Sequence, residues 1–291
     1  METAEEAAVS VAIERPCLYL VATPIGNLAD ISLRALEILR GVDLILAEDT
    51  RTSLRLLDRY TVRKPLEAFH QHNESARAEA LVRRMREEGL ALALVSDAGT
   101  PLLSDPGFPL VKAALAAGLP VHPVPGPSAL LAALCVSGLP CDRFAFEGFL
   151  PARSAARRST LEALAGDTRT LVFYESTHRI LATLADVESV MGDQRPLVVA
   201  REITKLHETV YRGTVSEVRA RMTADPHACR GELVIVLGGA SAQADDGLAL
   251  RLLAALHGKL STRDAVEVVH AATGYPRNRL YARVVGGDEE T

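Results

Sequence analysis

Apolar and polar positions along the chain follow two periods in alternation. "CLYLVAT" (17–23), "VDLILAED" (42–49) and "LALALVSD" (90–97) are short apolar runs that read as strands. The last is apolar at every position before Ser96, as a central parallel strand buried on both faces requires. Between them, "ISLRALEILRG" (31–41), "NESARAEALVRRMREEG" (73–89) and "FPLVKAALAAG" (108–118) repeat apolar residues at helical spacing. Asp30 and Asn73 are expected as N-caps, and Gly41 and Gly89 as stops. "LPVHPVPG" (119–126) returns as a strand. This βαβ alternation predicts an α/β domain with a mostly parallel sheet.

The composition shifts at "PVPGPSALLAALCVSGLP" (123–140), where a helix opens a second unit. Strands are expected at "RFAFEGF", "RTLVFYE", "PLVVARE" and "GELVIVLGG", with helices near 154–165, 177–191 and 214–223. The expected plan is an acidic, disordered tail over 1–17, one α/β domain over 18–125 and a second over 126–240. A linker and small helical module follow over 241–291, with "STRD" (261–264) as a capping-box-like start.

Composition narrows the picture. The chain has 291 residues, enough for two domains, and its cores must be aliphatic because it has no tryptophan. Four scattered cysteines form no CxxC pair, which argues against a disulfide scaffold or zinc site and for a reducing, cytoplasmic setting. No run approaches the ~20 apolar residues of a spanning helix, and the start lacks a signal pattern. The net charge of −5 is misleading: without the acidic ends the body carries more basic than acidic residues, so a nucleic-acid partner stays open. There is no GxxxxGK[ST], no GxGxxG after a strand, no GxSxG and no HExxH; a metal-independent reaction on a bound small cofactor remains.

Three stretches carry candidate chemistry. "VATPIGNLADIS" (21–32) ends a strand in Pro24, Gly26 and Asn27, where open α/β sheets hold ligands. It is otherwise a tight strand-to-helix turn. "LVSDAGTPLLSDPG" (94–107) also follows a buried strand; there Asp97 can accept hydrogen bonds from a ligand beside Gly99, or Asp97 and Asp105 can serve as caps. "FYESTHR" (173–179), "AREITKLHET" (200–209) and "RGELVIVL" (230–237) place Glu175, His178, Arg179, Arg201 and Lys205 at strand ends, as a substrate-facing wall or a surface ion-pair network.

In this order, "LYLVATPIGNLADIS", "AEDTR", "LVSDAGTPLLSDPG", "PGPSA", "GFLP" and "FYESTHR" resemble the bacterial 16S rRNA cytidine 2′-O-ribose methyltransferases, a branch of the tetrapyrrole methylase superfamily. The resemblance runs from about residue 18 to 285. It implies two α/β domains with S-adenosylmethionine in the cleft between them, a homodimer, and methylation of a ribose hydroxyl of a cytidine in the decoding region. It further implies that Pro24, Gly26 and Asn27 line the cleft, that Asp97, Ala98 and Gly99 hold the donor's polar end, that Ser128 adds a contact, and that the backbone at Leu233 flanks the adenine. It separates the two aspartates of the loop: Asp97 touches the ligand, and Asp105 caps the next helix. The stretch 206–230 aligns with no motif.

Methyl transfer from a sulfonium needs alignment and a route for the hydroxyl proton. Glu175 and His178 are the candidates for base or orienter. Arg179, Arg201 and Lys205 are candidates to hold phosphates or stabilise the alkoxide, which makes Lys205 a catalytic candidate too. Arg157 and Arg158 in "PARSAARR", and Arg277 and Arg279 in the tail, are candidate RNA contacts; a solvated helix face is the alternative. The expected substrate is 16S rRNA, in naked or assembled small-subunit form, with no metal and no membrane. A tetrapyrrole methyltransferase and a non-enzymatic nucleotide-binding scaffold are the competing readings.

Overall fold

The computed structural model describes residues 11–240 and 246–283, other than 257, 274, 276, 278, 279 and 282. Residues 1–10 of the expected tail, 241–245 of the expected linker and Arg279 lie outside the described residues.

The first sheet contains β1 (Cys17–Val21), β2 (Leu44–Ala47), β3 (Leu66–Ala68), β4 (Ala91–Val95) and β5 (Val121–Val124) in the order β3-β2-β4-β1-β5. All pairs are parallel. The period-2 pleat sorts its side chains. Cys17, Tyr19, Val21, Ile45, Ala93 and Val95 join a core with α1 (Leu33–Gly41) and α2 (Thr50–Arg59). Leu18, Leu44, Leu46, Leu92 and Leu94 join a core on the other face with α3 (Glu74–Glu88) and α4 (Phe108–Ala116). Burial on both faces is why these strands are apolar throughout. The three-residue β3, Leu-Glu-Ala and only half-buried, has no such run and is not visible as a strand in the sequence.

In the second half, α5 (Ala129–Ser137) precedes β6 (Phe144–Phe149), α6 (Ser154–Leu164), β7 (Thr170–Glu175), α7 (Ile180–Met191), β8 (Pro196–Arg201), β9 (Thr209–Thr214), α8 (Val215–Ala224) and β10 (Leu233–Leu237). The sheet order is β6-β7-β10-β8-β9. Only β6–β7 is parallel; β8 and β9 form a hairpin, and β10 runs antiparallel to both neighbours. β9 lies in the stretch that aligned with no motif. Helices α6, α7 and α8 cover one face. On the other, α5 packs Leu130, Ala133 and Leu134 against Val172, Val198 and Val234, and Ile25 from the loop after β1 enters the same cluster.

Both sheets lie in one compact unit ending at Gly238. A second unit, residues 166–168 and 239 onward, holds α9 (Asp246–Leu256) and α10 (Thr262–Thr273). Its core includes Leu253, Val266, Val269, Tyr275 and Leu280. Ser261 Oγ accepts from the backbone N–H of Asp264 (3.1 Å) and donates to its carboxylate (2.6 Å), the expected capping-box-like start. Among the described residues no helix is long and apolar enough to cross a membrane.

Two expected caps move. Asp30 sits in a short 3-10 turn (Leu28–Asp30), and Ser32 caps α1 by accepting from Ala35 N at 3.1 Å. Asp105 does not cap α4. The N-cap is Gly107, at φ +135°, and its N–H donates to Glu74 Oε2 at 2.7 Å.

Candidate active site

Parallel strands deliver their carboxyl ends to one edge, and β2, β4 and β1 are adjacent. The loops that follow them therefore meet: Glu48–Asp49 after β2, Ser96–Gly107 after β4 and Ala22–Asn27 after β1. Thr23 and Gly99 exchange backbone hydrogen bonds (Thr23 N to Gly99 O 2.9 Å, Gly99 N to Thr23 O 3.0 Å). Thr23 Oγ1 donates to Ser96 O at 3.1 Å. Asp49 N donates to Asp97 Oδ1 at 3.0 Å, and Thr100 Oγ1 donates to Pro127 O at 3.2 Å, which ties in the "PGPS" turn. The two loops singled out in the sequence are thus laced into one wall.

The opposite wall comes from the second sheet. Together the walls enclose a cavity of about 490 Å³, within the ordinary range for small-molecule sites. Asp97, Ala98, Gly99 and Leu233 line it, with Glu175, Ser176 and Thr177. Ile25, Ala129, Ala200, Ile203 and Val234 supply an apolar surface. Ser128 precedes Ala129, and its buried hydroxyl has no hydrogen-bond partner among the described residues. Pro24 lines a neighbouring cavity of about 200 Å³ that shares Asp97.

Gly26 (φ +150°) holds the first loop against the second sheet's β8–β9 turn. A Cβ there would lie 2.3 Å from Lys205 Cγ. Lys205 bridges Glu202 (2.9 Å) and Glu232 (3.1 Å). Burial works against its charge, but these two hydrogen-bonded carboxylates hold its pKa above the ordinary lysine value.

Several expected roles change. Asn27 does not turn its oxygen to the cleft; Oδ1 caps the 3-10 turn, accepting from Ala29 N at 3.1 Å. Glu175 is buried with both oxygens engaged: Oε1 accepts from Arg179 and Ser176 N, each at 2.6 Å, and Oε2 from Thr183 Oγ1 at 2.6 Å. These bonds hold the carboxylate in a fixed position on the cavity wall. His178 is exposed and is not on the cavity wall. Arg179 is spent on Glu175, Ser176 and the Leu150 carbonyl. Arg201 is buried and donates to the carbonyls of Arg230 and His207. Arg157 is 3 % exposed and paired with Asp186 at 2.6 Å, so it is a structural ion pair rather than an RNA contact. Arg158 is exposed on the same helix. Arg277 is exposed and pairs with Glu267 at 2.8 Å.

The sequence reading missed two carboxylates on the cavity wall, Glu48 and Asp105. Burial, then the charge of Glu48, pushes Asp105 up to about 6. Burial, then the charge of Asp97, also raises Glu48. Both residues sit in quoted motifs, "AEDTR" and "SDPG", and their signal was their place just after the β2 and β4 strand ends.

Away from the cavity, Glu14, Cys17 and His122 bring their donor atoms within 4.8 Å of one another. Burial pushes the Cys17 thiol up to about 11, and metals bind the thiolate rather than the thiol.

Residues 17–219 match the family described as Tetrapyrrole (Corrin/Porphyrin) Methylases. Residues 242–286 match the one described as RsmI C-terminal HTH domain. The chain is 50 % identical over 267 residues to ribosomal RNA small subunit methyltransferase I of Pasteurella multocida, covering 91 % of this chain and 95 % of that protein. It is 48 % identical over 266 residues to the protein of the same name from Escherichia coli O157:H7, covering 91 % and 93 %. Its fold is similar to that of uroporphyrin-III C-methyl transferase from Thermus thermophilus complexed with S-adenyl homocysteine (TM-score 0.52, 22 % identity, 76 % of this chain and 96 % of that one). It is also similar to diphthine synthase (TM-score 0.56, 15 % identity, 76 % and 90 %).

Proposed function

Because the chain belongs to the family of the tetrapyrrole (corrin/porphyrin) methylases, we propose that it is an S-adenosylmethionine-dependent methyltransferase of small-subunit ribosomal RNA. Its target in this reading is the ribose 2′-hydroxyl of a cytidine in the decoding region of 16S rRNA. The observation that carries the reading is the near-full-length identity, 50 % over 91 % of the chain, to a protein named as a methyltransferase of small-subunit ribosomal RNA.

The cavity supports the choice of donor. It offers an apolar surface for an adenine at Ala200, Ile203 and Leu233, and a carboxylate for hydroxyl or ammonium groups at Asp97. The orphaned hydroxyl of Ser128 beside it needs a polar partner. When bound, S-adenosylmethionine supplies an electrophilic methyl group. The chain's own contribution is to fix it, exclude water and aim the acceptor. Glu175 does so indirectly, by holding Arg179 and the 176–179 turn in place. Lys205, tied to Glu202 and Glu232, presses the β8–β9 turn against Gly26.

We assign RNA contact to exposed Arg158 and to the C-terminal helical unit, and we place the enzyme in the cytoplasm as a homodimer acting on the small ribosomal subunit. Radiolabelled methyl transfer tests this, with naked 16S rRNA, small subunits and a tetrapyrrole offered side by side. Label in the RNA arms and none in the tetrapyrrole is expected; the reverse overturns the reading. Removing residues 245–291 is expected to weaken RNA binding and flatten its salt dependence, with donor affinity unchanged. Unaltered RNA affinity contradicts the assignment of that unit.

A further inference from the structure

The cavity is larger than its donor-facing residues, and the remainder has a distinct chemistry. Beyond Gly99 the loop turns through Leu102 (φ +75°) and Ser104 (φ +71°), two non-glycine residues in left-handed conformations. Such strain persists only where surrounding structure fixes it, and it collects at functional sites. Its product here is the placement of Ser104 and Asp105 on the cavity wall. Strand β6 closes against this loop: a Cβ on Gly148 would lie 3.4 Å from Ser104 Oγ. The next residue, Phe149, lines the cavity and keeps 55 % of its surface exposed. Its ring stands 5.6 Å from Tyr174 in an edge-to-face contact. Tyr174 also lines the cavity, and the charge of Asp105 reaches it.

An exposed aromatic face beside a partly buried carboxylate suits one ligand type, a nucleoside swung out of its strand. The ring stacks on the base, and the carboxylate meets the sugar hydroxyl. Resting on the reading that this cavity methylates RNA, we propose that Phe149 and Asp105 form the acceptor subsite: Phe149 stacks the target nucleobase, and Asp105 is the general base for its ribose hydroxyl. In the step, Asp105 takes the hydroxyl proton. The oxygen's electron pair forms the new O–CH₃ bond, the C–S bond breaks, and its pair stays on sulfur, leaving a neutral thioether. Asp105 then releases the proton to water.

Asp105 lines the cavity, whereas both oxygens of Glu175 are engaged by Ser176 N, Arg179 and Thr183. The titratable groups around it are Glu48, Asp97 and Tyr174, with Asp49 and His70 acting on Glu48. The nearby negative charges and burial keep its proton affinity close to what neutral-pH base catalysis asks for.

The test uses full-length Asp105→Asn, Phe149→Ala and Phe149→Trp, assayed for turnover on small subunits and for S-adenosylhomocysteine affinity by calorimetry. Asp105→Asn is expected to lower kcat about 100-fold or more and to remove the acidic limb of the pH–rate profile. Its S-adenosylhomocysteine affinity should stay within about twofold, which also reports that it folds. Phe149→Ala is expected to raise KM for the RNA about tenfold, with Phe149→Trp restoring it. Wild-type kcat in Asp105→Asn overturns the assignment of the base, as does a loss of S-adenosylhomocysteine affinity matching the loss of turnover. An unchanged KM in Phe149→Ala overturns the stacking role. If the wild-type protein itself neither binds S-adenosylhomocysteine nor methylates RNA, the methyltransferase reading falls first and takes the subsite with it.

Discussion

Alanine at Gly26 puts a methyl carbon where Lys205 already lies. The new Cβ would be 2.3, 2.7 and 3.0 Å from Lys205 Cγ, Cε and Cδ, far inside the ~3.5–4.0 Å of a favourable carbon contact. The backbone angle, φ +150°, adds about 1–3 kcal/mol for a residue with a side chain. Lys205 must swing away, which overpacks the turn by about 1–3 kcal/mol. Gly26→Ala is therefore expected to destabilise the protein by about 2–6 kcal/mol. In a Lys205→Ala background the methyl group has room, and only the backbone part remains. The double mutant should thus be about 1–3 kcal/mol more stable than the sum of the single changes. Guanidinium unfolding of the four proteins gives the coupling directly. Additivity within about 0.5 kcal/mol would refute the idea that the glycine exists to admit this lysine.

Arg157→Ala leaves the buried Asp186 only Ser154 Oγ and the exposed Arg158 guanidinium at 3.7 Å, and is expected to cost about 3–5 kcal/mol, whereas Arg158→Ala removes only that longer, exposed contact and should cost less than about 1 kcal/mol; equal losses on unfolding contradict the division between them. Asp105 sits on the cavity wall with its folded pKa raised from 3.8 to about 6, so its ionised form is penalised in the fold. That penalty is full above the folded value, shrinks as pH falls and vanishes below the unfolded one. A shift of that size equals about 3 kcal/mol for an isolated group, discounted to about 1 kcal/mol for its solvent access. Asp105→Asn should accordingly be more stable than wild type at neutral pH and equal to it near pH 4; melting curves at both pH values that show a constant difference exclude this. Cys17, with its thiol at about 11 against an ordinary 9.0, should alkylate about a hundredfold or more slowly than the exposed Cys135, Cys141 and Cys229, and mass mapping after brief iodoacetamide treatment reads this out.

The central strands β1, β2 and β4 were legible because burial on both faces demands an unbroken apolar run. The meeting of the "TPIGN" and "SDAGTP" loops was legible because strand ends of a parallel sheet share an edge. What escaped the sequence has physical reasons. β3 and β9 take their stability from neighbours rather than from their own composition. Arg157 and Arg158 are adjacent and chemically identical, and only the helix's rotation buries one of them. Asp97 and Asp105 look alike in one loop. A carboxylate before Pro-Gly reads as a cap, yet the bond to Gly107 N goes to Glu74, far along the chain. That long-range substitution freed Asp105 for the cavity.

Ile25 lies on the loop after the first strand but is buried in the cluster formed by Val172, Val198 and Val234, and the cavity wall itself runs from Ile25 to Val234. During synthesis, which proceeds from the N-terminus, the first sheet emerges with this side chain uncovered and its binding wall unmatched. Its stability at that moment must come from its own two cores, since no ligand can reinforce it. The last strand in the chain, β10, lies between β7 and β8 and carries Leu233 and Val234 of the cavity wall, so that wall is complete only once the whole of both sheets has been made.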